Sequence, residues 1–156
     1  MDHETRRANN VAEFERLQGV IHNTPELVSA VNASITGTKL YKDAVPHVSG
    51  ETIGRVRVFD ANSFDVARPL VAEGYRVAVL NMASATSPGG GVAKGASAQE
   101  ERLCCESTLY PCLKTDELWQ NYYSFHRERK NSSYTDAVIY TPGVIVLRAN
   151  GLPLTL

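Results

Sequence analysis

Apolar residues Val11, Phe14, Leu17, Val20 and Ile21 recur at steps of three and four, the spacing that gathers side chains onto one face of a helix. A first helix is therefore predicted from about Glu4, fraying over Gly19 to Asn23. Thr24-Pro25 opens a second, because threonine caps and proline has no amide to leave unpaired. Its predicted buried face is Leu27, Val28 and Val31. From Asn32 to Gly50 the period dissolves into Ser, Thr, Gly and Pro, which predicts a long connection with one short extended piece at Lys39 to Tyr41.

A β-rich run, Val56, Val58 and Phe59, leads into Asp60-Ala61-Asn62-Ser63, the pattern of a strand followed by a helix cap. The predicted helix from Phe64 to Glu73 buries Val66, Leu70 and Val71, bends at Pro69 and stops at Gly74. Arg76 to Leu80 reads as a second strand. Strand, helix, strand is a βαβ unit, which implies parallel neighbours in a sheet covered by helices. Open sheets of that kind place ligands beyond the carboxyl ends of their strands, and the loop from Asn81 starts there.

That loop carries Gly89-Gly90-Gly91 and Gly95, and Ser97 stands three residues before Glu100 as in a capping box, predicting a helix start at Ser97. The helix is expected to run through Leu103, Cys104 and Thr108 to about Leu109, where Pro111 ends or kinks it. Asp116 to Arg129 is a further helical stretch with Leu118, Trp119, Tyr122, Tyr123 and Phe125, read as core or inter-helix packing rather than a ligand platform. After a loop at Asn131 to Thr135 come two β-rich runs, Ala137 to Tyr140 and Val144 to Leu147, around the turn Thr141-Pro142-Gly143. Asn150-Gly151 is a hairpin dipeptide followed only by the apolar tail Leu152 to Leu156. A parallel sheet needs helices on both faces and none follows these strands, so an incomplete domain is expected.

Composition narrows the chemistry. With 156 residues, 43% of them hydrophobic and 21% charged, the chain suits one soluble globular domain. A formal net charge of -1 offers no broad attraction to nucleic acid or anionic lipid, so DNA binding is not expected and any phosphate recognition must be local. No apolar run is long enough for a membrane span, and the start of the chain is polar, unlike a signal peptide. Cys104, Cys105 and Cys112 are odd in number and not spaced as a zinc site, which points to structural thiols in a reducing, intracellular setting; no metal or cofactor is expected.

Glycines at 89, 90 and 91 can take positive φ and let backbone amides approach a diphosphate, with a helix N-terminus adding partial positive charge. A plain flexible loop has the same composition. Glu100 and Glu101 follow in the first helical turn, where carboxylates are favoured anyway. Two close carboxylates also discourage each other's ionisation, and a carboxyl kept protonated near neutral pH can donate to a leaving oxygen.

Gly89-Gly90-Gly91, seven residues, then Gln99-Glu100-Glu101 resembles the signature of poly(ADP-ribose) glycohydrolases, which are built on a macrodomain fold. Leu80-Asn81-Met82-Ala83, Ser107-Thr108-Leu109-Tyr110-Pro111 and Ile139-Tyr140-Thr141-Pro142-Gly143-Val144 are similar to the microbial type of that family. The resemblance implies an α/β fold, a macrodomain-like mixed sheet flanked by helices, with residues 1–50 a helical extension and 51–156 an incomplete catalytic region. It implies hydrolysis of ribose-ribose bonds in poly(ADP-ribose) or action on ADP-ribosylated protein, with Glu101 as the catalytic acid and Glu100 holding the distal ribose. Asn81 would bind that ribose, Gln99 would position the glutamates, and Gly89, Gly90 and Gly91 would line the diphosphate and ribose. Family members continue past the equivalent of Leu156 into a second glycine-rich loop and an adenine-stacking aromatic. A binding module for ADP-ribose, or a truncated product without a competent fold, are the competing readings. The residues leave oligomeric state open.

Overall fold

A computed structural model describes residues 2–42, 54–129, 134–149 and 152–153. Helix α1, His3–Asn23, starts one residue before the predicted Glu4 because Asp2 caps it, accepting from the Thr5 amide at 2.8 Å. It runs unfrayed through Gly19 and buries Phe14, Leu17 and Ile21, while Val20 lies exposed on the flank of the stripe. Helix α2, Pro25–Gly37, has proline in its first turn as expected, but the Thr24 hydroxyl donates back to Val20 O at 2.8 Å instead of capping. It buries Leu27 and Val31, leaves Val28 exposed, and extends well past Asn32, where the sequence predicts a connection. The reason is Ser34: the next buried position on this face is polar, and its hydroxyl is satisfied by the Gly143 carbonyl at 3.1 Å.

Strand β1, Lys39–Tyr41, is the short extended piece expected, and it pairs antiparallel with β2, Val138–Tyr140, in the register Leu40 to Ile139. Strands β3, Arg148–Ala149, and β4, Leu152–Pro153, pair antiparallel on either side of Asn150-Gly151, as a hairpin requires; the turn itself lies outside the described residues, as does 131–133 of the expected 131–135 loop. The parallel βαβ unit is not formed among the described residues. Helix α3, Ser63–Ala72, is present, but the flanking runs 54–59 and 75–80 belong to no ladder, and Val58 and Leu80 are 92% and 76% exposed. β-branched sequence favours extended backbone, yet a strand exists only when a neighbour takes its amides and carbonyls. Helix α3 also turns a different face inward, burying Phe64 and Ala67 while Val71 is exposed.

Helix α4, Gln99–Glu106, is capped by Ala98, not Ser97, and no capping box forms. Glu100 is drawn away by the amide of Ser84 at 2.7 Å, so its carboxylate is not available to Ser97. The helix ends at Glu106, three residues before the predicted Leu109, with Ser107 as its C-cap. There Ser107 bridges to Val146, Leu147 N donates to Glu106 O at 2.7 Å and Thr108 N to Ile145 O at 3.0 Å. The predicted strand Val144 to Leu147 is thus used as a backbone dock for a helix break. Pro111 sits inside a new short helix α5, Leu109–Leu113, near its start, where its missing amide costs little.

The aromatic stretch is helical over α6, Asp116–Leu118, a π turn, Trp119–Tyr123, and α7, Ser124–Glu128. The wider turn shifts the inward face so that Leu118, Tyr123 and His126 are buried, whereas Trp119 and Phe125 stay exposed and carry Arg127 and Arg129 over their rings.

Two apolar clusters form the core. One gathers Phe14, Phe64, Val92, Leu103, Cys104, Leu109 and Leu113; the other gathers Leu17, Ile21, Leu27, Val31, Cys112 and Leu147. Helix α1 contributes to both, and its Glu13 pairs with the buried Arg148 of β3. All three cysteines are unpaired, and burial pushes the Cys105 and Cys112 thiols up to about 11, as befits packing groups rather than nucleophiles.

Thr108 is fully buried and its hydroxyl accepts from Ile145 N at 2.9 Å. Thr108→Val keeps the shape but strands that amide, and urea denaturation is expected to show a loss of about 1–3 kcal/mol.

Candidate active site

The loop between Asn81 and helix α4 is a run of tight turns. Gly90 N bonds Ser87 O at 3.0 Å and Val92 N bonds Gly89 O at 3.2 Å. A 3-10 turn at Val92–Lys94 then closes on Gly95, whose amide bonds Val92 O at 3.0 Å. Gly89 and Gly90 have φ of 67° and 61°, the left-handed region that costs an L-residue roughly 1–2 kcal/mol.

The glycines also solve a space problem. A Cβ on Gly90 would stand 2.4 Å from Glu101 Oε1 and 3.1 Å from Glu100 Oε2; one on Gly89 would stand 2.7 Å from the Tyr110 ring. Absence of side chains at 89 and 90 is therefore what lets the loop lie directly on the two carboxylates.

Glu100 and Glu101 are 4% and 8% exposed, far below the usual state of a carboxylate. They point to different partners, as adjacent helical residues must. Glu101 Oε1 accepts the Gly91 amide at 2.8 Å. Glu100 Oε2 accepts the Ser84 amide at 2.7 Å, and Asn81 Nδ2 stands 3.5 Å from its Oε1. Such charge-assisted bonds contribute about 1.5–3 kcal/mol each, which offsets part of the cost of burial.

Burial raises the Glu100 carboxyl above its ordinary range, opposed by the Ser84 amide and the Asn81 side chain and reinforced by the neighbouring Glu101 charge. Burial lifts the Tyr123 phenol too, with the Glu100 charge adding to the effect.

Gln99 acts on the backbone that delivers Asn81. Its side-chain amide accepts from Met82 N at 2.9 Å and donates to Leu80 O at 2.7 Å, the two bonds a neighbouring strand would make. One glutamine side chain thereby substitutes for a ladder partner along residues 80–82.

All seven residues singled out in the sequence, Asn81, Gly89, Gly90, Gly91, Gln99, Glu100 and Glu101, thus meet in one place. The use made of the glycine amides differs from the expectation. Gly91 N–H is committed to Glu101 and Gly90 N–H to Ser87 O, so these two amides serve the fold and the carboxylate.

Ser84 is a further residue of the site, not among those seven. Its hydroxyl accepts from the amides of Thr86 and Ser87 at 3.3 and 3.2 Å, a serine turn that presents its own N–H to Glu100. The Ser-Ala-Thr-Ser-Pro run carried that signal. Tyr110 beneath Gly89 lies in the Ser107 to Pro111 run that resembles the family, whereas Arg7 and Asn10 from α1 carried no signal, because their contact with the loop spans the fold.

Among the described residues no group of three His, Cys, Asp or Glu is arranged to hold a metal ion, and no helix is long and apolar enough to cross a membrane. An open depression of about 520 Å³, lined by Asp60, Ala61, Asn62 and Asp65, does not include the glutamate pair.

The family model described as microbial-type PARG, catalytic domain, matches residues 9–149, where PARG is poly(ADP-ribose) glycohydrolase. Among solved structures, PARG from Thermomonospora curvata superposes with a TM-score of 0.77 at 32% identity, covering 97% of this chain and 60% of that one. The same enzyme bound to the inhibitor ADP-HPD matches with a TM-score of 0.72 at 30% identity, covering 97% of this chain and 58% of that one. PARG from Deinococcus radiodurans in complex with ADP-ribose matches with a TM-score of 0.69 at 33% identity, covering 80% of this chain and 53% of that one. No curated protein sequence gives a significant match.

The chain spans 60% or less of the length of these structures, and within that span it shares their mixed α/β arrangement. The family model spans most of the chain and the fold matches, and the chain belongs to the microbial-type PARG catalytic-domain family.

Proposed function

We propose that this chain carries the carboxylate wall of a poly(ADP-ribose) glycohydrolase site, cleaving ribose-ribose O-glycosidic bonds to release ADP-ribose. The observation that supports this most directly is the buried pair Glu100 and Glu101, each held by a backbone amide from a different part of one loop. Burial without a cationic partner is costly for a carboxylate, and catalysis is a common reason to retain it.

In this reading Glu101 protonates the departing ribose oxygen as positive charge develops on the anomeric carbon, and the resulting carboxylate then takes a proton from the attacking water. Glu100 and Asn81 hold hydroxyls of the distal ribose. Their own contact at 3.5 Å is loose enough to yield to a sugar hydroxyl. Gln99 keeps Leu80 to Met82, and so Asn81, in register with helix α4. Gly89, Gly90 and Gly91 leave an open wall for ribose and diphosphate, and the substrate's own diphosphate helps stabilise the cation. The unpaired cysteines accord with a reducing intracellular compartment.

A second reading, binding of ADP-ribose without cleavage, is favoured by one observation: the D. radiodurans structure that this chain matches holds ADP-ribose. Calorimetry that finds ADP-ribose bound by a chain releasing none of it from polymer would support this reading over the first.

Glu101→Gln is expected to lower release of ADP-ribose from polymer by at least about a hundredfold, the usual contribution of a general acid, while changing ADP-ribose affinity little. Release at the wild-type rate would remove Glu101 from the role.

Gly90→Ala is expected to cost about 1–2 kcal/mol from its positive φ alone and to displace the Glu101 carboxylate, so turnover should fall further than thermal stability does.

Raised carboxyls at Glu100 and Glu106 mean that the folded state holds protons more tightly than the unfolded chain. Their contribution is fully present below the ordinary carboxylate value of 4.5 and is lost as pH rises through the raised value. Thermal melts across that window should show stability falling with pH, and Glu100→Gln should shrink the slope, leaving the part due to Glu106.

A further inference from the structure

The glycine loop is held from two sides, and only one of them is helix α4. On the other side Arg7 of α1 aims two guanidinium donors at a single carbonyl, Nε at 3.1 Å and Nη2 at 2.8 Å from Lys94 O. Asn10 Nδ2 donates to the next carbonyl, Gly95 O, at 3.0 Å. These are the carbonyls at the end of the 3-10 turn, which have no partner within the turn itself.

Gly95 lies flush against α1. Its φ is 75°, and a Cβ there would stand 2.3 Å from Arg7 O, a collision with helix backbone that no rotamer change relieves. Farther along the same stripe, Phe14 meets the Tyr110 ring edge-to-face at 4.8 Å, and Tyr110 is the ring on which Gly89 rests. Positions 7, 10 and 14 follow helical spacing, so one face of α1 backs both ends of the loop.

A chain of bonds connects this backing to the glutamate. Lys94 N and Ala96 N both donate to Gly91 O, at 2.9 and 3.1 Å, so the carbonyl of Gly91 is fixed by the turn that Arg7 and Asn10 hold. The amide of Gly91 is the group bonded to Glu101.

We infer that Arg7 and Asn10 are positioning residues for the site: they clamp the end of the 3-10 turn and thereby set the Gly91 amide against Glu101. Helix α1 is then part of the catalytic apparatus rather than an appended element. Arg7 lies outside the span 9–149 matched by the family model. The inference rests on the proposed function for its catalytic meaning, but the clamp itself is read from the loop.

Amide hydrogen exchange on the full chain tests it, with Gly91, Lys94, Gly95 and Ala96 reporting on the loop and Val28 and Val31 on helix α2, which does not hold it. Arg7→Met keeps the apolar stem and removes the donors; combined with Asn10→Ala it should speed loop exchange about tenfold while α2 changes less than about twofold. Arg7→Lys, which restores a donor, should recover part of the protection. ADP-ribose affinity should fall in the same order across the three variants.

Unchanged loop exchange in the double variant would overturn the clamp, and so would equal acceleration in α2, which marks general destabilisation. A wild-type chain that binds no ADP-ribose would instead count against the proposed function, with the exchange data still deciding the clamp.

Discussion

Two carboxylates side by side, nearly shut off from water and with no cation between them among the described residues, are the constraint around which the rest of this structure is arranged. Moving one carboxylate into a protein interior costs several kcal/mol, and a neighbouring negative charge adds to that cost. Backbone amides repay part of it, but only if the chain is bent to bring them there. The turn at Ser84 brings one and the glycine triplet brings the other. Neither loop could approach so closely if Gly90 carried even a methyl group.

That requirement spreads outward. The loop must be stiff to keep the Gly91 amide in place, and its stiffness comes from tight turns whose last carbonyls are satisfied by α1. Helix α1 is in turn fixed by burial of Phe14, Leu17 and Ile21 in both clusters and by Glu13 on Arg148. Helix α4 breaks at Ser107 because residues 145–147 take its backbone groups, and this short, docked helix presents its first turn to the loop. The same short helix buries Leu103 and Cys104 beneath the glutamates. Under the proposed function, this arrangement puts a carboxyl where it could deliver a proton to a departing glycosidic oxygen.

Much of the site was legible beforehand because it is local. Glycine triplets, a Gln-Glu-Glu at a helix start and an asparagine leaving an apolar run are statements about neighbours in sequence, and all seven residues converge as that pattern implied. Helical periodicity likewise marked α1 and the start of α2, since a 3.6-residue repeat is written into side-chain order. Elements whose form depends on a distant partner were misread. The runs 54–59 and 75–80 have strand composition but no ladder among the described residues, and α2 continues past its apolar pattern because the Gly143 carbonyl, far along the chain, satisfies Ser34.

The paired glutamates return to this division. Sequence by itself showed a side-chain-free loop standing before two carboxylates in a first helical turn, because composition and spacing carry that information; the roles expected of those residues came from resemblance to a family. Which amide meets which carboxylate was settled by tertiary structure: Ser97 was placed to cap helix α4, yet Glu100 turns to Ser84 and Glu101 to Gly91. A buried charge accepts the strongest donors that packing makes available, and those donors are positioned by α1, by the turn at Ser84 and by the dock at Val146, none of which is adjacent to the glutamates in the chain.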